Sequence, residues 1–145
     1  MADLKPLIRY RGFQVDEKRR VIAALYEEAY RLEQQKANIL NVMARETQVA
    51  KESGSFETLR MLGTYVKGAR ARIVNIDQSA QRLDLRIQLA QDDLREHFAE
   101  LKKIEILHGR RLAAERAENE RREEAMMNEI GITIYGRNKI ADGEA

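Results

Sequence analysis

A seven-residue repeat of apolar side chains runs through the second half of the chain, from Leu59 to Ile104. With Leu59 at the first position of the repeat, only His97 is polar among the fourteen a and d positions. The a positions are Leu59, Val66, Ile73, Ala80, Ile87, Leu94 and Leu101, and the d positions are Leu62, Ala69, Ile76, Leu83, Ala90, His97 and Ile104. Such a sustained repeat indicates a helix that packs along a partner helix as a coiled coil.

The first half of the chain carries a weaker version of the same repeat. Its a positions are Ile8, Val15, Ile22, Ala29, Lys36, Met43 and Ala50, and its d positions are Arg11, Lys18, Leu25, Leu32, Ile39 and Glu46. We expect the long stems of Arg11, Lys18 and Lys36 to lie along the partner helix while their charges point outward. The g positions Leu7, Val21, Val42 and Val49 are expected to widen the apolar stripe.

The short stretch KESGSFE, residues 51–57, separates the two repeats. Gly54 suits the residue after a helix, Ser55 suits a helix N-cap, and Glu57 is favourable in a first turn. A break this short predicts an all-α fold, a long two-helix antiparallel coiled-coil hairpin with an overhanging C-terminal helix. Helix 1 is predicted at about 4–51, the turn at about 52–55 and helix 2 at about 56–128. The alternative is one continuous helix that dimerises in parallel.

The register of this hairpin predicts where packing stops. Facing residues should have numbers that add to about 108, which places Leu4 opposite Ile104. The segment ERAENERREEAMM, residues 115–127, then packs on nothing in its own chain and depends on local pairs such as Glu118 with Arg122. We therefore predict one hairpin domain over residues 1–130 and a largely disordered tail over 131–145. Within that tail, ITIY (132–135) is either a short docking segment or a solvated end.

Composition narrows the classes of function. Charged residues make up 34% of the chain and aromatics only 6%, which favours long helices over a thick globular core. The 26 basic and 24 acidic residues nearly balance, so we do not expect nucleic-acid binding. No apolar run is long enough to predict a membrane span. The absence of cysteine removes disulfide and thiol chemistry.

The residues suited to catalysis are few and badly spaced. His97 and His108 are not accompanied by other residues at metal-ligand spacing, and His97 is expected to be a polar residue of the seam. A two-helix hairpin also offers no concave substrate site. We predict no catalytic, cofactor-binding or metal-binding residues, no cofactor and no enzymatic activity.

Two basic clusters are the remaining candidates for a site. In the predicted register DEKRR (16–20) and GRR (109–111) both fall in the half of the hairpin nearest the termini. We predict partner-binding residues there that would contact an acidic or amphipathic protein: Arg19, Arg20, Arg110, Arg111 and Arg116. The alternative is ordinary solubilising charge.

Two segments resemble a known family. The stretch LIRYRGFQVDEKRR followed by IAALYEEAYRLEQQ resembles the start of the flagellar export protein FliJ family, and LHGRRLAAERAENERREEAMMNEIG resembles its C-terminal helix. The resemblance covers residues 4–130, and the blocks VDEKRR and RRLAAERAE carry most of it.

The resemblance implies a non-enzymatic part of the flagellar type III export apparatus, with a hairpin similar to the shaft of the rotary ATPase gamma subunit. It implies three partners: the flagellar export ATPase hexamer, the cytoplasmic domain of the export gate, and export chaperones. It implies a cytoplasmic protein, peripheral at the flagellar base, that reaches the membrane only through partners and serves motility and chemotaxis. A generic coiled-coil adaptor or spacer, including a parallel dimer, is the alternative.

Overall fold

The computed structural model describes residues 3–143, and this range consists of two α-helices and a tight turn. Helix α1 spans Lys5–Ser53 and helix α2 spans Phe56–Gly143. The helices pack against each other in opposite directions, because residues early in α1 contact residues late in α2. Lys18 pairs with Asp93, whereas Lys36 pairs with Asp77. The predicted antiparallel hairpin is confirmed. The alternative of one continuous helix that dimerises in parallel is wrong, because α1 ends at Ser53 and α2 runs back along it.

The chain divides into two compact units. The first, Arg11–Ala99, contains the turn and most of both helices, and we call it the hairpin body. The second comprises the remainder of the chain, of which residues 3–10 and 100–143 are described, and we call it the terminal body.

Local sequence signals account for where the helices begin and end. Asp3 Oδ1 accepts a hydrogen bond of 3.0 Å from the backbone N–H of Lys5, which caps the start of α1, and Pro6 fits the first turn. Gly54 has a φ of 63°, a left-handed conformation that favours glycine and stops α1 after Ser53. The carbonyl of Ser55 accepts the first hydrogen bond of α2, at 3.1 Å from the N–H of Leu59, as expected of an N-cap residue.

The core is the seam that the repeat predicts. Every buried apolar residue within 3–143 occupies a predicted a or d position: Val15, Ile22, Leu25, Ala50, Ala69, Leu83, Ile87 and Leu101. At the centre of the hairpin body, Leu25, Leu83 and Ile87 form one cluster, flanked by Ala29, Leu32 and Ala90. Full burial of one such large side chain contributes about 1.5–3 kcal/mol, so this narrow seam supplies most of the attraction between the arms.

The predicted widening of the apolar stripe is wrong at three of four positions. Leu7, Val21 and Val49 are 40%, 47% and 58% exposed, and only Val42 is half-buried. A pair of helices covers little beyond its a and d positions, because a third element would be needed to cover the flanking side chains. Leu59, predicted on the seam, is also 44% exposed, next to the turn.

The pairing is displaced from the predicted register for long side chains. The residue numbers of the two lysine–aspartate pairs add to 111 and 113, whereas those of Leu25 and Leu83 add to the predicted 108. Side chains on a helix lean toward its N-terminus, and in an antiparallel pair this lean brings together residues whose numbers add to more. The effect grows with side-chain length, so it is clearest for lysine.

In the terminal body the same seam continues past its predicted end. Leu101 is buried, and half-burial recurs on α2 at Ile104, His108 and Arg111. Immediately before α1, Leu4 is half-buried as well. The prediction that packing ends at Ile104 is therefore about two turns too short, as the displaced register requires.

Beyond Arg111, α2 continues as a helix to Gly143, whereas the sequence predicts that helix 2 ends at about 128 and that residues 131–145 form a largely disordered tail. The helix has no proline to stop it, and Gly131 and Gly136 reduce helix propensity by only about 1 kcal/mol each. Residues 144 and 145 of the predicted tail, and residues 1 and 2 of the predicted domain, lie outside the described residues.

Candidate partner-binding surfaces

Two seam lysines form ion pairs across the hairpin body. Lys18 Nζ lies 2.7 Å from Asp93 Oδ2, and Lys36 Nζ lies 2.8 Å from Asp77 Oδ1. Both lysines reach outward from the seam, as predicted, but they do so toward a carboxylate on the other helix. The sequence analysis did not predict these partners. The signal for each was an aspartate beside the seam of α2, at a position whose number adds with that of the lysine to 111 or 113.

Asp93 is shared between two basic side chains. Besides Lys18, His97 Nε2 lies 3.4 Å from Asp93 Oδ1, one turn along α2. The hydrogen bond from Lys18 holds the pKa of the Asp93 carboxyl below its usual range, and the nearby charges add to this effect. The prediction that His97 is a polar seam residue agrees with its half-buried position and its carboxylate neighbour.

The first predicted basic cluster lies on α1 in the hairpin body. Arg19 and Arg20 are exposed and each faces an acid one turn earlier in the same helix. Arg19 Nη1 lies 3.8 Å from Asp16 Oδ1, too far for a hydrogen bond, and Arg20 Nη1 donates to Glu17. Exposed pairs of this kind contribute about 0–1 kcal/mol, so an external carboxylate can replace them at little cost.

The second predicted cluster lies on α2 in the terminal body. Arg110 and Arg116 are exposed and make no ion pair within residues 3–143, whereas Arg111 is half-buried and engaged within the chain. Arg110 and Arg116 are therefore available to a partner. The five predicted residues thus fall in two different bodies, and their convergence on a single site stays a prediction.

The charged segment 115–124 has the solvent exposure that the sequence predicts. All of its residues are exposed except Glu118, which is half-buried. Glu118 Oε1 accepts from Arg121 at 2.9 Å and from Arg122 at 3.3 Å, so the predicted Glu118–Arg122 pair is present. Such pairs contribute about 0.2–0.5 kcal/mol each. The helicity of this segment therefore has local support only.

Within 3–143, no group of three or more histidine or carboxylate side chains is placed to hold a metal ion. In the same range, neither helix has a stretch long and apolar enough to cross a membrane.

Comparison with known families decides which class of coiled-coil protein this is. The model of the family described as flagellar FliJ protein matches residues 1–139 of the 145. The chain belongs to the FliJ family. No curated protein and no solved structure matches the sequence. As a FliJ-family member, the chain is a component of the flagellar type III export apparatus, and the family is a non-enzymatic one.

The extent of the FliJ match bears on the site. It runs past residue 130, where the resemblance of the two quoted segments ends, and includes both basic clusters and the charged segment 115–124. The exposed helix beyond the seam, up to residue 139, thus lies within the region that the FliJ family model describes.

Proposed function

We propose that this FliJ-family chain acts as the stalk of the hexameric export ATPase and links that ring to the cytoplasmic domain of the export gate and to export chaperones. In this role it is a cytoplasmic protein, peripheral at the flagellar base, that contacts the membrane only through its partners. It supports motility, and chemotaxis through motility.

The observation that carries the proposal is the exposed charged helix after the seam. Residues 115–124 extend α2 beyond the half-buried seam positions His108 and Arg111, yet they offer no apolar face of their own. A helix that lacks contacts within its own chain gains them when another protein surrounds it. The central opening of a hexameric ring is one such environment.

The exposed arginines suit this environment. Arg110 and Arg116 lie on the same helix as the charged segment and have no ion-pair partner in the part of the chain that the structure describes. We propose that they contact carboxylates of the ring together with Arg111, and that Arg19 and Arg20 add contacts from α1. Complementary charge mainly accelerates association, whereas a desolvated pair that loses one member costs about 2–5 kcal/mol.

The test reverses charge at two places on α2. Arg110→Glu with Arg116→Glu should weaken binding to the purified export ATPase by about tenfold or more, reduce stimulation of its ATPase activity and impair swimming. The matched control is Arg60→Glu with Lys67→Glu, two exposed basic residues near the turn of the hairpin body. Circular dichroism should show the same helix content for both variants.

The two variants distinguish which part of α2 contacts the ATPase. A defect confined to the Arg60 and Lys67 variant would show that the contact lies near the turn. Normal ATPase binding by both variants would reject the stalk role for these charges.

A further inference from the structure

The last part of α2 carries an apolar stripe that the hairpin does not use. Met126, Met127, Ile130 and Ile134 are 61%, 69%, 51% and 52% exposed. Ile130 follows the adjacent residues Met126 and Met127 by four and three positions, and Ile134 follows Ile130 by four, which places all of them along one side of the helix. Ile130 is off the heptad seam of α2, because the a and d positions that continue from Leu101 and Ile104 fall at 129 and 132. We call these four residues the terminal stripe.

Charged residues flank the terminal stripe along α2. Glu123 and Glu124 precede it, and Glu129 lies within its length. Arg137 and Lys139 follow it. Arg121 and Arg122, just before these glutamates, both pair with Glu118 of the same helix. A surface that covers the stripe would therefore meet the carboxylates of Glu123, Glu124 and Glu129 first, and positive charge at the C-terminal end.

These features decide among the possible occupants. A membrane surface is disfavoured, because helices that lie on anionic lipid carry lysine and arginine beside their apolar face, and here three glutamates stand there. A parallel second copy of the stripe would bring like charges together. An antiparallel second copy would not, and it is disfavoured instead by the small apolar area that the stripe offers. The stripe spans about two and a half turns, and apolar contact over this length falls short of the standard area of a stable interface. The spacing instead matches a single helix that inserts anchors at i, i+3 or i+4, and i+7 or i+8 into a groove.

We infer that the terminal stripe docks into an apolar groove with a basic rim on a protein component of the export apparatus. This inference rests on the proposed function, because it takes the partner from the same apparatus. Met126 and Met127 are flexible and adapt to an irregular groove, while Ile130 and Ile134 supply stiff anchors. Glu123 and Glu124 meet the basic rim.

The test uses the full chain and the purified export ATPase, gate cytoplasmic domain and export chaperones, each titrated by calorimetry. Ile130→Asn with Ile134→Asn should weaken binding to one of these components by about tenfold or more, because two anchors lose their apolar burial. Binding of the wild-type chain to that component should show a negative heat-capacity change, the mark of apolar burial.

The chain provides a matched control in the same segment. Ile132 and Tyr135 are 73% and 69% exposed but lie on other sides of α2, away from the stripe. Ile132→Asn with Tyr135→Asn places the same residue type in the same helix and should leave the affinity within about twofold. Helix content by circular dichroism should be equal for the two variants.

A second pair of changes tests the rim. Glu123→Lys with Glu124→Lys should weaken binding to the same component and reduce its dependence on salt, because a charged rim mainly affects association and screening. Unchanged affinity and salt dependence would reject a basic rim.

The outcomes separate the inference from the function on which it rests. If the wild-type chain binds an export component and the stripe variant binds it equally well, the inference is overturned and the proposed function stands. If the stripe variant only abolishes binding to anionic vesicles or only dissociates a dimer, the occupant is lipid or a second copy, and the inference is overturned. If the wild-type chain binds no component, the proposed function fails and the inference with it.

Discussion

Leu83 and Ile130 lie on the same helix, yet one is 3% exposed and the other 51%. Leu83, in the hairpin body, packs with Leu25 of α1 and Ile87 of its own helix. Ile130, in the terminal body, is exposed, and so are its apolar neighbours along the helix, Met126 and Ile134. Both segments are helical, but the interactions that stabilise the helix differ between them.

This difference shows that two segments of one helix can share a conformation while different interactions stabilise them. The hairpin body is stabilised by burial along a continuous seam, with Lys18–Asp93 and Lys36–Asp77 joining the two helices at its edge. Residues 115–143 rely on propensity and short-range pairs such as Glu118 with Arg122. Isolated helices held in this way are marginal in water. Residues 115–143 can thus exchange solvent for contacts with a partner, whereas the buried seam of the hairpin body cannot.

The largest expected contrast is in amide hydrogen exchange. Amides of α2 in the hairpin body should exchange only through global unfolding, which costs about 5–15 kcal/mol in ordinary domains. Amides of residues 115–143 should exchange with little protection, because their helix opens locally. Exchange of the full chain, followed by mass spectrometry, measures both at once. Strong protection over 115–143 in the free protein would show that this segment packs on something in its own chain.

A smaller contrast is expected when the side chains of Leu83 and Ile130 are each truncated to alanine. Leu83→Ala should lower the free energy of unfolding by about 2–5 kcal/mol, because it leaves a cavity in the central cluster. Ile130→Ala should change it by no more than about 0.5 kcal/mol, because the side chain is exposed. Urea denaturation monitored by circular dichroism measures both variants. Equal losses for the two would mean that the terminal stripe is part of the folded core.

The same physical difference explains how far sequence could predict the structure. The hairpin and its buried residues follow from the heptads, because burial at a and d is a local property of a repeated pattern. The cross-helix partners of Lys18 and Lys36 do not follow from the repeat, since they depend on how far side chains lean along an antiparallel pair. His108 and Arg111 are the next a and d positions of the repeat, but their half-burial beyond the predicted end of the seam depends on the same lean.

The candidate site was less predictable than the fold. The spacing of Met126, Met127, Ile130 and Ile134 is visible in the sequence, but it is out of phase with the seam and is interrupted by a glycine at 131, with another at 136. Interpreting those glycines as the end of the helix hides the stripe. For the five arginines, residue type identifies a candidate, but only contact with a partner determines whether it is used. Exposed side chains on a helix have no packing constraint that would show this in advance.

The smallest expected contrast concerns the acid sensitivity of the hairpin body. Lys18 and His97 face Asp93, and the hydrogen bond from Lys18 holds the pKa of its carboxyl below the ordinary value of about 3.9. A carboxyl with a lowered pKa in the folded state stabilises that state fully above its unfolded pKa and loses this contribution as the pH falls through the lowered value. The advantage of the wild-type chain over Asp93→Asn should therefore be present above the unfolded pKa of about 3.9 and shrink as the pH falls below it. Because the pair is partly exposed, high salt should reduce the difference.

Urea denaturation across this pH range measures the difference in the free energy of unfolding between the two chains. Adding Lys18→Met to both chains should reduce the pH-dependent part of that difference. An acid dependence that survives Asp93→Asn unchanged would assign the sensitivity to carboxyls elsewhere in the chain.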